Sequence, residues 1–258
     1  MQTHVTLEMN GDIATLTFAC DTPGKPATID LIVLDELESH LREIEARRSE
    51  LRAVLLRSSS SKYFVVGANI RALETLNEGT VVPWIQRGHA VFNRLDALPM
   101  PTIARVEGYA LGGGLEMAMA CDFILATPNA KFGQPEANLG FVAGWGGTYR
   151  LPRRVGIAKA KEMFFTARIL DAQEALIVGL IDFCGEAPAL DEHWDALLAG
   201  IRQVSPIAVA HMKALANNSL NITLDEACAA ETSSSEICMA EADTKARIRA
   251  FLDSRKRK

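Results

Sequence analysis

The stretch GYALGGGLEMAMACD, residues 108–122, places three consecutive glycines directly before a run that predicts a helix. Glycine is a poor helix former and costs backbone entropy, so three in a row require a local reason. A helix amino terminus presents unpaired backbone N–H groups and a partial positive charge. With no Cβ at Gly112, Gly113 and Gly114, a ligand oxygen can reach those N–H groups, as in an oxyanion hole. The alternative interpretation is a close helix–strand crossing that excludes side chains.

A carboxylate and a second glycine segment accompany this helix start. Glu116 falls in the first helical turn, where compensation of the helix dipole is the simpler explanation for an acidic residue. The segment FVVGANI (64–70) ends a predicted strand, and its backbone N–H groups near Gly67 and Ala68 are candidates for the other half of an oxyanion hole.

A third glycine-rich segment, KFGQPEANLGFVAGWGGTYRLPRRVG (131–156), presents Glu136 just after Pro135. An ordinary glutamate on a surface turn is the alternative there. Taken together, two carboxylates and two glycine-bordered N–H donors suit chemistry beside an activated carbonyl. They would stabilise an enolate while one acid–base group handles water and another moves a proton at the α-carbon.

Composition excludes several other classes of protein. The 258 residues are 48% hydrophobic and 23% charged, which is typical of one large globular domain or a main domain with an appendage. The formal net charge of −5 disfavours a nucleic-acid-binding protein. The start resembles no signal or transit peptide, and no apolar run reaches the ~18 residues of a membrane span. We therefore expect a cytoplasmic protein without membrane or nucleic-acid partners.

The motifs of several common sites are missing from the sequence. The five cysteines form no CxxC pair and the five histidines no HExxH, so we expect buried reduced thiols and no metal site. There is no Gly-x-Ser-x-Gly nucleophile elbow, no phosphate loop and no Gly-x-Gly-x-x-Gly fingerprint.

Strand and helix patterns alternate along most of the chain. Runs 4–9 and 13–18 flank Asn-Gly-Asp as a hairpin, and apolar residues from Leu31 to Ile44 recur at helical spacing after the capping residue Asp30. Segments 52–58, 101–108 and 121–127 predict further strands, so the core is α/β with a largely parallel sheet. After about residue 155 the pattern is mainly helical. We assign residues 1–200 to the α/β core and 201–258 to a helical carboxy-terminal region.

The three motifs, in this order, resemble the crotonase superfamily of enoyl-CoA hydratases and isomerases along nearly the whole chain. KYFVVGANI is similar to its first motif, IARVEGYALGGGLEMAMACDFILA to its second and the segment 131–156 to its third. The resemblance implies a crotonase-like α/β fold of stacked ββα units with a carboxy-terminal helical trimerisation region. It also implies acyl-CoA thioester substrates, a homotrimer or homohexamer, and no cofactor, because coenzyme A is part of the substrate.

The same resemblance implies roles for individual residues. The backbone N–H groups of Ala68 and Gly113 would hold the thioester oxygen, and Glu116 and Glu136 would act on water and on the α-proton. Gly144 would line the acyl end of the site. The other residues expected to bind substrate are Lys25, Ala27, Gly67, Asn69, Ile70, Gly112 and Trp145.

Departures from the family pattern concern the acyl pocket and the carboxy terminus. Asn69 stands in place of the usual Asp, and Val66, Ala143 and Trp145 would reshape the acyl pocket. Phe251 and Lys256 are candidates for the nucleotide end of CoA, although a basic tail also complements a helix dipole. The histidines at 89, 193 and 211 lie in no matched motif and are assigned to structure or solvent.

The presence of both glutamates favours hydration of an enoyl-CoA. The first alternative is double-bond isomerisation with Glu136 alone as the proton shuttle. The second is a non-catalytic or RNA-binding protein on the same fold, which the negative net charge disfavours.

Overall fold

An antiparallel hairpin begins the chain in the computed structural model, which describes residues 2–255. Strand β1 (Thr3–Asn10) pairs with β2 (Ile13–Cys20), with Asn10 opposite Ile13 across the predicted turn. Ala14, Leu16 and Phe18 of β2 are fully buried, because alternate side chains of a strand point to opposite faces. The predicted hairpin is confirmed.

Three consecutive strand pairs distribute their members between two sheets. The first members are β3 (Ala53–Ser58), β5 (Thr102–Val106) and β7 (Phe123–Ala126). The second members are β4 (Tyr63–Val66), β6 (Tyr109–Leu111) and β8 (Lys131–Gly133). Two short strands complete the sheets, β9 (Ile169–Asp171) and β10 (Phe183–Cys184). The sheet orders are β1-β2-β3-β5-β7-β10 and β4-β6-β8-β9. Strands β3, β5 and β7 run parallel to one another in the first sheet, and β4, β6 and β8 run parallel in the second.

Helices follow the strand pairs and cover the sheets. The helices of the core are α1 (Leu31–Ala46), α2 (Ile70–Glu74), α3 (Val81–Asp96), α4 (Gly113–Ala118), α5 (Gly147–Val155), α6 (Ile157–Thr166), α7 (Ala172–Ile177) and α8 (Ala187–Gln203). A 3-10 turn occupies Pro135–Leu139. The result is the predicted α/β architecture of stacked ββα units.

Helix α1 shows how the sequence directs this packing. Asp30 accepts a hydrogen bond from the Val33 N–H at 3.1 Å, so it caps the helix as expected. Leu34, Leu37 and Ile44 are fully or almost fully buried against the core. Leu31, counted in the same stripe, is 47% exposed, because it is the first helical residue and turns away from the sheet.

One strand prediction needs correction. The strand predicted at 101–108 is present but shorter, because β5 ends at Val106, and β6, which was not predicted, starts at Tyr109 in the other sheet. The chain crosses between the sheets at Gly108, where a Cβ would clash with the Lys62 carbonyl and lie 2.7 Å from the Tyr63 nitrogen. Two backbones approach here as closely as a glycine allows.

The carboxy-terminal region consists of α9 (Pro206–Asn218), α10 (Leu224–Ala240) and α11 (Ala242–Arg255). A capping box is present at Thr223 and Glu226, whereas Ser205 makes no side-chain cap bond. None of the residues in these three helices is buried within the chain. Helix α8 runs across position 200, so the proposed division of the chain at 200/201 stays a prediction.

Two further properties concern residues 2–255. No helix in this part of the chain has the length and apolar content needed to cross a bilayer. All five cysteines are free thiols, but only Cys121 is fully buried; the expectation of buried thiols is wrong for the others, and Cys228 is exposed.

Candidate active site

The glycine segment forms the amino terminus of α4 at the centre of the molecule. Gly112 has φ 51° and ψ −127°, a backbone conformation that residues with a Cβ rarely adopt. A Cβ at Gly112 would also lie 2.8 Å from Oε1 of Glu136. All six residues of α4 are buried, which places its first turn and Glu116 inside the protein. The glycines therefore let a carboxylate and a second segment of backbone approach this helix end.

That second segment carries Ala68. Ile29 N–H donates to the Gly67 carbonyl at 2.9 Å, and Asn69 N–H donates to the Ile29 carbonyl at 2.8 Å. These two bonds use the Gly67 carbonyl and the Asn69 N–H, so the bridge to Ile29 does not use the Ala68 N–H that lies between them. Among the residues that the structure describes, neither the Ala68 nor the Gly113 N–H has an acceptor.

Ala68 and Gly113, which carry the two unpaired amides, both line one cavity of about 120 Å³. A Cβ at Gly67 would lie 3.8 Å from the Gly113 nitrogen, so the two segments are in van der Waals contact. Ala68, Gly113, Glu116 and Glu136 all line this cavity. The arrangement offers two free N–H donors and two carboxylates to a molecule bound there.

Glu116 is held by the loop that precedes α5. Its Oε1 accepts hydrogen bonds from the Trp145 and Gly147 N–H groups, both at 2.7 Å, and its side chain is almost completely buried. Because both donors contact Oε1, no residue within the described chain donates to Oε2. Oε2 is the atom that can bind a water or a substrate proton in the cavity.

Burial changes the proton affinity of both carboxylates. Desolvation, with the nearby charge of Glu136 as a second cause, raises the pKa of Glu116 to about 7, against the opposing effect of its two backbone hydrogen bonds. Desolvation also raises the pKa of Glu136 to about 7. Both groups can therefore gain and lose a proton near neutral pH, which general acid–base catalysis requires.

Gln134 is a contact that the sequence analysis missed. This buried side chain lies with its amide 3.0 and 3.1 Å from the two oxygens of Glu136, and the amide nitrogen faces the carboxylate, since an oxygen there would meet only acceptors. Gln134 precedes Pro135 and Glu136 in the third motif, so its position was visible. Nothing in its residue type indicated that it would turn back onto Glu136.

Nine of the twelve predicted site residues line the cavity: Gly67, Ala68, Ile70, Gly112, Gly113, Glu116, Glu136, Gly144 and Trp145. Within the described chain, Lys25, Ala27 and Asn69 lie outside its lining. Lys25 is exposed, the Ala27 carbonyl accepts from the Val66 N–H at 3.0 Å, and the Asn69 side chain caps α2. Their roles in substrate binding stay predictions.

The apolar wall of the cavity comes mostly from residues that the sequence analysis did not assign to the site. They are Leu73, Trp84, Leu111, Leu139, Phe141 and Val142. Of the three residues expected to reshape the acyl pocket, Val66 and Trp145 line this cavity and Ala143 does not. Trp84 packs 4.5 Å from Trp145 between ring centroids. Helix α3, which carries Trp84, was not predicted, because its register against the 144–147 loop depends on the tertiary fold.

The remaining candidates lie away from this cavity. Phe251 is exposed on α11 with the Arg255 guanidinium 4.7 Å from its ring centre, and Lys256 is outside the described residues. His193 stacks on Phe183 at 4.1 Å, and His211 bonds Ser234 at 3.1 Å. These two histidines have the structural contacts expected for them.

A second, larger cavity of about 700 Å³ lies between α3, α5 and α9. Arg150 on its wall is buried and bonds the Trp145 carbonyl at 3.3 Å, Asn93 at 2.8 Å and Asp96 at 3.1 Å. Its charge also lowers the pKa of Glu116, although less than burial raises it. Arg150 thus fixes the loop whose N–H groups hold Glu116.

Stacked parallel ββα units, with a glycine-rich helix start and two carboxylates on one cavity, define a protein of the crotonase superfamily. The family model described as enoyl-CoA hydratase/isomerase matches residues 8–258. The chain belongs to this enoyl-CoA hydratase/isomerase family.

Individual relatives and solved structures agree with this assignment. The chain is 37% identical to a short-chain-enoyl-CoA hydratase of Clostridium acetobutylicum, over 98% of this chain and 96% of the relative. It is 38% identical to a crotonyl-CoA hydratase of Syntrophomonas wolfei, over 79% and 78% of the two chains. An enoyl-CoA hydratase structure from Geobacillus kaustophilus superposes with a TM-score of 0.90 at 27% identity, over 98% and 95% of the two chains.

Proposed function

We propose that the protein is an enoyl-CoA hydratase, which adds water across the α,β double bond of an acyl-CoA thioester. The observation that carries the proposal is one cavity lined by two residues with unpaired backbone N–H groups, by the buried carboxylate of Glu116 and by the half-buried carboxylate of Glu136. The family assignment and the names of the relatives support the same reaction.

The thioester carbonyl would accept hydrogen bonds from the Ala68 and Gly113 N–H groups. Addition of water at the β-carbon moves electron density onto this oxygen, so donors fixed in place before the reaction stabilise the enolate-like transition state. The dipole of α4 contributes in the same direction, although α4 is a short helix.

Water addition also needs one proton removed and one delivered. We assign the α-proton to Glu136, which gives it in hydration and takes it in the reverse reaction. Glu116 and Glu136 together position the water. As the water oxygen bonds the β-carbon, its O–H bond breaks and the proton passes to the Glu116 carboxylate, while the electrons of the double bond take the proton from Glu136 at the α-carbon. Because burial raises the pKa of both side chains to about 7, one can be ionised while the other is protonated at neutral pH.

The test is turnover of a crotonyl thioester of CoA by Glu116→Gln and Glu136→Gln. Glutamine keeps the shape of each side chain but cannot exchange a proton, so each variant should lose about 10²- to 10⁴-fold or more in kcat. Glu78→Gln, an exposed change in the turn before α3, is the matched control and should keep full activity. Full activity in both site variants would refute the assignment.

The mass of the product separates the two enzymatic alternatives. A product heavier by one water indicates hydration, whereas an unchanged mass with a shifted double bond indicates isomerisation by Glu136 alone. Steeply salt-dependent RNA binding with no turnover of any enoyl-CoA would favour the non-catalytic alternative.

We also propose a homotrimer, alone or paired into a homohexamer. Helices α9, α10 and α11 bury no residue within the chain, yet they expose apolar side chains that a partner subunit would cover. These are Met212, Leu224, Ile237, Met239, Ile248, Phe251 and Leu252. Sedimentation equilibrium would measure the assembly, and a monomer at micromolar concentration would refute it. The cytoplasmic location stays a prediction.

A further inference from the structure

The indole of Trp145 is wedged between two glycines at the inner end of the catalytic cavity. On one side, a Cβ at Gly113 would lie 2.7 Å from Cε3 and Cζ3 of the ring. On the other side, a Cβ at Gly88 of α3 would clash with Cδ1 and Nε1 and lie 2.5 Å from Cε2. The side chain of Trp145 therefore spans the gap from the proposed oxyanion hole to α3, and only glycine at position 88 leaves room for it.

Aromatic neighbours hold the ring in this position. Trp84 packs against it with centroids 4.5 Å apart, and Phe92 meets it edge-on at 5.6 Å. Trp145 and Trp84 are only 2% and 6% exposed. Neither buried indole nitrogen has a hydrogen-bond partner within the described residues, so packing alone keeps the two rings in place.

The Trp145 ring lies between the catalytic cavity and the cavity of about 700 Å³. In the loop before α5, Gly144 and Trp145 line the catalytic cavity of about 120 Å³, whereas Gly146 lines the cavity of about 700 Å³. On α3, Trp84 lines the small cavity and His89 the large one. Gly88 and the Trp145 indole meet between these positions.

The volume of the small cavity limits what it can hold. An apolar cavity of about 150 Å³ holds one benzene ring, which has six carbon atoms. The catalytic cavity, at about 120 Å³, is smaller and must also admit the attacking water. A thioester acyl group of about four carbons fits this space, and a longer chain would run into the Trp145 ring.

We propose that the contact of Trp145 with Gly88 sets the length of the acyl chain, restricting the enzyme to enoyl thioesters of about four carbons. This inference rests on the proposed hydratase function. Opening the contact would join the two cavities, and the larger one offers apolar surface from Ala97, Leu98, Ala210 and Ala214 to a longer chain.

The experiment compares kcat/KM for enoyl-CoA substrates of four, six and ten carbons. The wild-type value should fall at least tenfold from four to six carbons and further at ten. Trp145→Ala should raise the ratio of the ten-carbon value to the four-carbon value at least a hundredfold, because the ring no longer fills the gap at Gly88. An unchanged length preference in this variant would overturn the inference.

Two further variants keep the result specific. Trp84→Ala enlarges the small cavity but leaves Trp145 against Gly88, so it should improve six-carbon turnover without ten-carbon turnover. Phe92 contacts the Trp145 ring but is not among the described residues that line either cavity. Phe92→Leu should therefore leave the ratio of ten-carbon to four-carbon kcat/KM unchanged. A ratio shifted as much by Phe92→Leu as by Trp145→Ala would contradict the proposal.

Two outcomes separate this proposal from the function itself. If the wild type hydrates no substrate of any length, the proposed function fails. If it hydrates ten carbons as well as four, the function stands and the length restriction is wrong. Should Trp145→Ala not fold or hydrate nothing, Trp145→Leu decides the question by the same ratio, with six carbons as the length that should gain.

Discussion

Glu116→Gln is expected to stabilise the protein at alkaline pH while it removes the hydratase activity. Burial raises the pKa of Glu116 from 4.5 to about 7, so the folded chain binds this proton more tightly than the unfolded chain. Stability attributable to this group therefore falls as pH rises from about 4.5 to about 7 and stays low above that range. At 1.36 kcal/mol per pKa unit, the ionised carboxylate costs about 3 kcal/mol at pH 8 and under about 1 kcal/mol at pH 5.

Glutamine removes this cost and keeps the contacts. Its Oε1 can still accept the hydrogen bonds from Trp145 and Gly147, which are 2.7 Å long in the wild type. Each kcal/mol shifts the melting temperature of a domain of this size by about 2–4 °C. We therefore expect Glu116→Gln to melt roughly 6–12 °C higher than wild type at pH 8, and no more than about 4 °C higher at pH 5.

The assay is thermal unfolding at fixed protein concentration, because the stability of an oligomer depends on concentration. Glu78→Gln, which changes an exposed carboxylate, should show little difference from wild type at either pH. A Glu116→Gln variant that is no more stable than wild type at pH 8, or equally stabilised at both pH values, would refute the raised pKa.

Three further predictions concern the same site. The pH profile of kcat/KM should be bell-shaped near pH 7, since Glu116 and Glu136 both have a pKa of about 7. Protonation at lower pH removes the base, and deprotonation at higher pH removes the acid. A flat profile from pH 5.5 to 8.5 would argue against both roles. Gly114→Ala should destabilise the protein by about 1–3 kcal/mol or more in denaturant titrations, because its Cβ would clash with the Val65 carbonyl oxygen and lie 2.6 Å from the carbonyl carbon. Arg150→Met should shift the acid limb of the pH profile to higher pH, because the guanidinium lowers the pKa of Glu116 in the wild type. Arg150→Lys should move this limb partly back towards its wild-type pH. An acid limb that does not move in Arg150→Met would show that the role of Arg150 is purely structural.

Much of the local structure follows from short-range rules that operate within a few residues. The Asn-Gly-Asp turn and the Asp30 cap were predicted because each depends on neighbouring positions in the chain. The glycines of the second motif could be interpreted in the same way, since the absence of three successive side chains indicates a special backbone conformation or a close approach. The family resemblance implies roles for both glutamates and both amides from the sequence alone.

The environment of those residues could not be predicted in this way. That Glu116 is buried and bonded by a loop about thirty residues away, and that Gln134 turns back onto Glu136, depends on packing between distant segments. The positions of Lys25 and Asn69 outside the cavity lining also depend on this packing. A motif gives the place of a residue in the chain but not the direction of its side chain.

The sequence by itself determined the fold class, the order of the motifs and the chemical type of the site, because glycine, proline and carboxylate patterns constrain backbone and chemistry locally. Only the tertiary structure decided the shape of the acyl pocket. Gly88 and Trp145 lie far apart in the chain, and neither position predicts that the ring of one fills the space left by the missing side chain of the other. Close packing is a property of surfaces brought together by folding, and it has no signal in either segment alone.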